Sequence, residues 1–307
     1  MITYTENKKI DRQKWDDCIK RCSNSSIYAY SWYLDVVCEG WSAIILNDYE
    51  AVSPIASRSK YNINYIYQPF FSRYFGVFAE YKISQELVSG FMDAIPGKFK
   101  FLEFCLNEDN LLDSKLYDLK EKKFQVLDLD RSYNAIQKEF SDNAKRNVKK
   151  AIKSGLEIRK GISSEKIVNL FKVTKGDELK VFGRSDYKTL IMLMNKCNEL
   201  ERGHSISVYS RGKLCAAAFF MFSEGRFTFL KSGVTEEGKA HGAMHFLFDY
   251  FIKVNSEKNY LLDFGGSSVE SVARFYKNFG AKDCVYLQVN RNNLPKFVKW
   301  VKSLKKK

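Results

Sequence analysis

The stretch LDFGGSSVESVARFYKNFGA, residues 262–281, decides how this chain is read. With Tyr260 and Leu261 ahead of it, YLLDF is a short apolar run, the pattern of a strand at the centre of a sheet. Gly265 and Gly266 permit a sharp turn through positive φ. Ser267 and Glu270 have the spacing of a capping box, which opens a helix. Along that helix Val269, Val272, Ala273 and Tyr276 recur at i, i+3, i+4 and i+7. Tyr276 therefore shares the inward face, with a hydroxyl that requires a partner.

The flanking segments extend the pattern. Residues 236–259 include a run, 243–254, that is apolar on nearly all faces, as expected of a buried helix. Three strand-like runs precede it, 205–211, 213–223 and 226–234, with turns at RGK and SEGR. The alternating run CVYLQVN (284–290) reads as a last strand. Upstream, 132–155 accommodates two helices ending at a C′ glycine, Gly155, followed by a short strand and helices over 163–179 and 186–202. The front half predicts helices over 8–22, 31–38 and 84–95 and strands over 41–46, 50–58, 62–69 and 99–107. Pro54 marks an edge strand or bulge. A polar stretch, 108–124, precedes a fresh strand at 125–130, which places a boundary near 125 and two domains at 1–125 and 126–307. The expected class is α+β with mixed sheets.

Composition narrows the function classes. A chain of 307 residues with 45% hydrophobic residues has material for two cores and is not a disordered chain. No run of eighteen apolar residues is present, and the polar opening lacks the apolar core of a signal peptide, so a cytoplasmic protein is expected. Seven scattered cysteines without a CxxC pair argue against a disulfide framework. Cys18 and Cys22 can share a helix face, as can His241 and His245, but neither pair has a third ligand nearby, so no metal is expected. The net charge of +14 favours a polyanionic partner such as a phosphate-rich cofactor, nucleic acid or an anionic membrane surface.

Three stretches carry a resemblance to a known family: SDNAKRNVKKAIKSGLEI (141–158), FLKSGVTEEGKAHGAMHFLFDYFI (229–252) and the opening quotation. In this order they resemble the GNAT acyltransferase superfamily, and more closely its Fem-type branch, in which two GNAT-like domains are joined in tandem. The resemblance covers most of residues 130–290 and is weaker in the N-terminal half. It implies an N-acyltransferase with acyl-CoA, in the first instance acetyl-CoA, as co-substrate. The family's pyrophosphate loop, Arg/Gln-x-x-Gly-x-Gly/Ala, corresponds in part to Lys239-x-x-Gly242-x-Met244. By resemblance the cofactor is assigned to Ser232, Gly233, Val234, Gly238, Lys239, Gly242 and Ala243. Helix-start N–H groups would face its phosphates, and N–H groups near Ser232 to Val234 a developing oxyanion. Tyr276, in Tyr-x-x-x-Gly, matches the family's proton donor to the departing thiolate. Fem-type enzymes that use aminoacyl-tRNA carry Phe-Lys-x-x-Phe-Gly; here Tyr276 stands in the place of that Lys, with Lys277 beside it.

Amine acylation needs a base, for which Glu178 is the candidate, with Asp177 and Asp186 as alternatives. Asp263, Lys145, Arg146, Lys149 and Lys277 are candidates for holding the acceptor. The expected acceptor is an amine-bearing small molecule or envelope precursor. A Fem-type aminoacyl-tRNA transferase making a peptidoglycan bridge, with tRNA as partner, is the second reading, favoured by the basic helix. A non-catalytic polyanion-binding protein is the third. The tail LPKFVKWVKSLKKK (294–307) has the pattern of a surface helix that could touch an anionic membrane.

Overall fold

The computed structural model describes residues 1–266 and 269–294. The chain divides into two compact units, Met1–Lys122 with Val285–Lys307, and Lys123–Cys284. The division falls inside two strands, Asp118–Asp128 and Lys282–Asn292. The class is α+β with mixed sheets, as the sequence implies. The capping box expected at Ser267 and the expected tail helix lie outside the described residues.

In the first unit, Ile2–Thr5, Ser42–Leu46, Ala51–Ile55 and Phe78–Ala79 form one sheet in that order. Pro54 pairs with Ala43 on one side, while the pairing with Phe78–Ala79 reaches only Ala51 and Val52. The N–H that proline lacks is therefore not missed by a second neighbour. A second group runs Ser57–Lys60, Ile63–Tyr67, Phe99–Cys105 and Lys282–Asn292. The last of these pairs antiparallel with Phe99–Cys105, which is why the chain from Val285 onward counts with the first unit. Cys18 and Cys22 do meet, at 3.9 Å between sulfurs, where the helix Arg12–Arg21 ends at its C-cap Cys22.

The second unit has strands in the order Asp118–Asp128, Leu261–Asp263, Arg226–Val234, Lys213–Ser223, Gly203–Ser210 and Glu157–Lys160. Its central helix, Ala243–Asn255, packs Phe248 and Phe251 onto Phe220 and Phe229 of the sheet, with Phe220 and Phe251 stacked at 3.8 Å. The basic helix, Asp142–Lys153, is capped by Ser141 and buries Ala144, Val148 and Ala151, which leaves its cationic side chains turned outward. The helix Ser164–Phe171 continues through a wider, π-helical turn, Lys172–Gly176. There Thr174 Oγ1 donates to the Leu170 carbonyl at 2.6 Å. The last helix, Glu270–Lys277, starts at Val269, which is 54% exposed and so not inward as the periodicity suggests. Among the described residues no helix is long and apolar enough to cross a membrane.

Candidate active site

The strand Arg226–Val234 organises the site. Lys213–Ser223 flanks one of its edges over nearly its full length. On the other edge, pairing with Leu261–Asp263 ends at Thr228. The neighbouring chain turns away through Gly265 and Gly266, at φ 80° and 70°. A side chain on Gly265 would lie 2.7 Å from the Phe229 carbonyl oxygen, so the two strands part this sharply only because that residue is glycine. Register against Lys213–Ser223 slips where Phe219 faces Lys231 and Phe220 faces Phe229, which leaves Leu230 as the extra residue of a bulge. The open edge thus begins beside an irregularity, with backbone N–H groups free of a regular ladder on that side.

Beside this edge lies a cleft of about 360 Å³. Phe229, Ser232 and Val234 line it from the strand. Gly238, Lys239, Gly242, Ala243 and His245 line it from the loop and the start of the central helix, and Ser271, Phe275 and Tyr276 from the last helix. Six of the seven residues assigned to the cofactor by resemblance therefore meet here with Tyr276. The seventh, Gly233, faces the opposite side, where an added Cβ would lie 2.6 Å from the Phe171 backbone nitrogen.

The central helix begins at Gly242, which is left-handed (φ 74°) and offers no side-chain cap. Its first-turn N–H groups are available to an anion, which the helix dipole favours. The residues present fit a phosphate-bearing donor, with Lys239 on the lining, its ammonium 2.6 Å from Glu236. The two glycines have packing reasons of their own. A Cβ on Gly242 would lie 2.6 Å from the Asn147 carbonyl oxygen of the basic helix, and one on Gly238 would lie 2.4 Å from that of Cys215.

Tyr276 is 6% exposed, and its ring lies 4.7 Å from that of Phe264 and 6.2 Å from that of Phe229. Its hydroxyl makes no hydrogen bond to another described residue. Burial, and secondarily the Asp263 carboxylate, raises its pKa well above the usual phenol range, so it holds its proton at neutral pH. Asp263 is fully buried, accepts from the Gly265 N–H at 2.8 Å and lies 3.1 Å from Arg226 Nε. It fixes the turn that opens the strand edge and acts on Tyr276 through its charge.

The other assigned residues lie elsewhere. Glu178 is exposed and pairs with Lys175 at 2.8 Å, so the structure does not bring this expected base to the cleft. Asp177 is exposed and Asp186 caps its own helix through the Gly183 N–H at 2.7 Å. No acidic side chain lines the cleft among the described residues. Lys277 pairs with Asp283 at 2.7 Å outside the lining. Lys145 donates to the Lys138 carbonyl at 3.1 Å, while Arg146 and Lys149 are exposed. His241 is hydrogen-bonded to Ser154 at 3.0 Å rather than to His245. Among the described residues no cluster of three or more His, Cys, Asp or Glu could hold a metal.

Two residues have places that their sequence context does not disclose: His245, which the sequence offers only as a helix-face partner of His241, and Lys231. His245 lines the cleft with its Nε2 buried and lacking a hydrogen-bond partner among the described residues, and burial lowers its pKa to about 4. Lys231, on the other face of the strand, lies over the rings of Phe171 and Phe182. Its one sequence signal is a lysine inside the apolar run RFTFLKSGV.

No protein-family model and no curated protein sequence matches the chain. Solved structures do match. FemX superposes with a TM-score of 0.68 at 13% identity, over 91% of this chain and 96% of that one. The chain shares its fold with FemX. The C-terminal domain of a protein assigned as a lysylphosphatidylglycerol synthetase of Agrobacterium fabrum matches at TM-score 0.56 and 12% identity, over 91% of each chain. L-PGS from Bacillus licheniformis matches at 0.54 and 12%, over 94% of this chain and 93% of that one. The match to FemX spans nearly all of both chains, so the fold agrees with the Fem-type resemblance carried by the three sequence stretches.

Proposed function

We propose that the chain is an N-acyltransferase that moves an acyl group from acyl-CoA, acetyl-CoA in the first instance, to an amine, with an envelope precursor as the acceptor class. The observation that carries this reading is one cleft that joins an open strand edge, an uncapped helix start and a buried, protonated Tyr276. The helix start and Lys239 would hold the donor's phosphates, and the strand-edge N–H groups would stabilise negative charge on the acyl oxygen. Tyr276 would return a proton to the sulfur as it leaves. A thiolate developing in the same low-dielectric place is itself made more basic, so the raised pKa of the phenol does not bar the transfer.

The likeness to proteins named for lysylphosphatidylglycerol synthesis and to FemX supports acyl transfer to an envelope component as the broader class. A donor of the aminoacyl-tRNA kind is the second reading, favoured by the exposed cations of the helix Asp142–Lys153, which abuts Gly242. Against it, Tyr276 stands where the tRNA-dependent pattern has Lys, and neighbouring Lys277 is engaged by Asp283 away from the cleft.

Calorimetric titration with acetyl-CoA and longer acyl-CoAs tests the choice, with Lys239→Glu as the control because it alters the lining without disturbing the glycine packing. Saturable binding weakened by Lys239→Glu supports the acyl-CoA donor. Absence of binding to every acyl-CoA refutes it and moves the reading to aminoacyl-tRNA.

A further inference from the structure

Acyl transfer to an amine has a requirement that the cleft does not meet. An alkyl amine arrives as an ammonium ion, with a pKa near ~10 for a lysine-like group, and must lose a proton before it can attack. The cleft offers no carboxylate, and Glu178 lies outside it in an exposed ion pair. His245 is neutral but, at a pKa of about 4, too weak a base to hold the ammonium's proton.

The opposite face of the same strand carries another group. Alternation about the bulge sends Phe229, Ser232 and Val234 to the cleft and Lys231 and Gly233 to the other side. Gly233 has no side chain, so the helix Ser164–Phe171 packs directly on the strand there. That brings Phe171 over the Lys231 amine at 4.6 Å from the ring centroid, with Phe182 at 5.2 Å. Tyr187 closes the aromatic group, 6.3 Å from Phe171 and 6.0 Å from Phe182 between ring centroids. The amine is thus held in apolar surroundings beside the strand edge that faces the cleft.

We propose that Lys231 is the base that takes the proton from the acceptor amine, and that the amine arrives on the Lys231 face of the strand while the donor occupies the cleft. This rests on the acyl-transfer reading above. Neutral Lys231 removes one proton from the acceptor ammonium. The amine nitrogen then forms its bond to the acyl carbon as the carbon–sulfur bond breaks. The second proton lost by nitrogen reaches the sulfur by way of Tyr276, which gives its proton and regains one. Lys231 releases its proton to water, which leaves an amide and a free thiol.

The elements packed around Lys231 carry charges of both signs. The helix Ser164–Phe171 and the turn after it carry Glu165, Lys166, Lys172 and Lys175, and the segment into the next helix carries Asp177, Glu178, Lys180, Arg184, Asp186 and Tyr187. The flanking strands contribute Lys213, Cys215 and Asp263. Burial lowers the pKa of Lys231 from 10.5 to about 8. The free base is therefore accessible near neutral pH.

The test has two readouts. Trace labelling of the native protein with acetic anhydride, resolved by peptide mass spectrometry, gives the titration midpoint of Lys231. A midpoint near 8 is expected, and one above 10 overturns the proposal. Acyl transfer from acetyl-CoA to a set of primary amines is then followed against pH. In the wild type kcat/KM should rise about tenfold per pH unit below the midpoint, as for any single required deprotonation. Lys231→Arg and Lys231→Met should lose about 100-fold or more and lose that limb, with acetyl-CoA affinity and melting temperature retained. Lys231→Arg with wild-type kcat/KM and an unchanged profile overturns the assignment of the base alone. A wild type that transfers nothing from any acyl thioester overturns both this proposal and the reading beneath it.

Discussion

Replacing Tyr276 by phenylalanine removes one oxygen from a ring that Phe264, Phe229, Phe248 and Phe275 hold in place. The ring stays, so no cavity forms. The oxygen has no hydrogen-bond partner among the described residues and Tyr276 lines the cleft, so removing it breaks no bond within them. Tyr276→Phe should therefore be neutral or should stabilise the fold by up to about 1 kcal/mol, allowing for residual hydration of the cleft. Activity should move in the opposite sense. A positioned general acid supplies about 10²–10⁴ in rate, or roughly 3–5 kcal/mol of barrier. The assay is thiol release from acetyl-CoA in the presence of an amine, paired with urea unfolding and calorimetric binding. The expected outcome is a kcat at least about 100-fold lower at unchanged cofactor affinity and unchanged or higher stability. A kcat within about twofold of wild type refutes the proton-donor role. A loss of more than about 2 kcal/mol of stability refutes the premise, since it means that the hydroxyl had a structural partner.

Two further outcomes follow from the same geometry. Gly242→Ala combines a φ of 74° with a Cβ 2.6 Å from the Asn147 carbonyl oxygen, whereas Gly155→Ala at φ 67° meets nothing within 4 Å. Urea unfolding should show about 2–4 kcal/mol lost in the first and about 1 kcal/mol in the second, and equal losses would refute the close-packing account. His245 binds its proton at about 4 in the folded chain against 6.5 unfolded, so the unfolded chain takes up more protons between these values. Its contribution is intact above pH 6.5 and is lost as the pH falls toward 4, by at most about 3 kcal/mol. His245→Phe should flatten that part of the stability profile, and an unaltered profile would show that His245 is not the group responsible.

What was legible in the sequence depended on how much of each signal is local. The central helix, the glycine turn and the three-strand meander were readable because apolar periodicity and turn residues act over a few residues. The strand Asp118–Asp128 was recognised only in its second half. Its first residues, DLKEKK, are largely exposed and have no apolar alternation, so pairing rather than pattern makes them a strand. The π-helical turn was read as continuous helix because a wider turn preserves composition and alters only the hydrogen-bond step. Tyr276, Gly242 and Ser232 could be assigned together because a family resemblance supplied the relation between distant segments. No local pattern shows that Lys231 is enclosed by Phe171 and Phe182 and lies beside an open edge. No local signal separates a cleft carboxylate from a surface one at Glu178, and the structure turns it outward.

The strand Arg226–Val234 explains why these features coincide. A regular strand in this place would be satisfied on both edges and would offer chemistry nothing. Three departures prevent that. Gly265 lets the parallel neighbour leave after Asp263, Leu230 interrupts the ladder on the other side, and Gly233 admits a helix backbone against the sheet. Each weakens the sheet locally, and each is held in place by the aromatic core beneath it and by the buried Asp263 at the turn. Together they leave the strand edge past Thr228 without its parallel neighbour, between a cleft on one face and the Lys231 amine on the other. If the irregularities served only packing, filling the cleft from the Ser232 side would leave the Lys231 amine untouched. If they serve acyl transfer, an acyl donor bound in the cleft should alter the labelling of Lys231 across the strand, because its reactive end must pass the open edge to meet the acceptor.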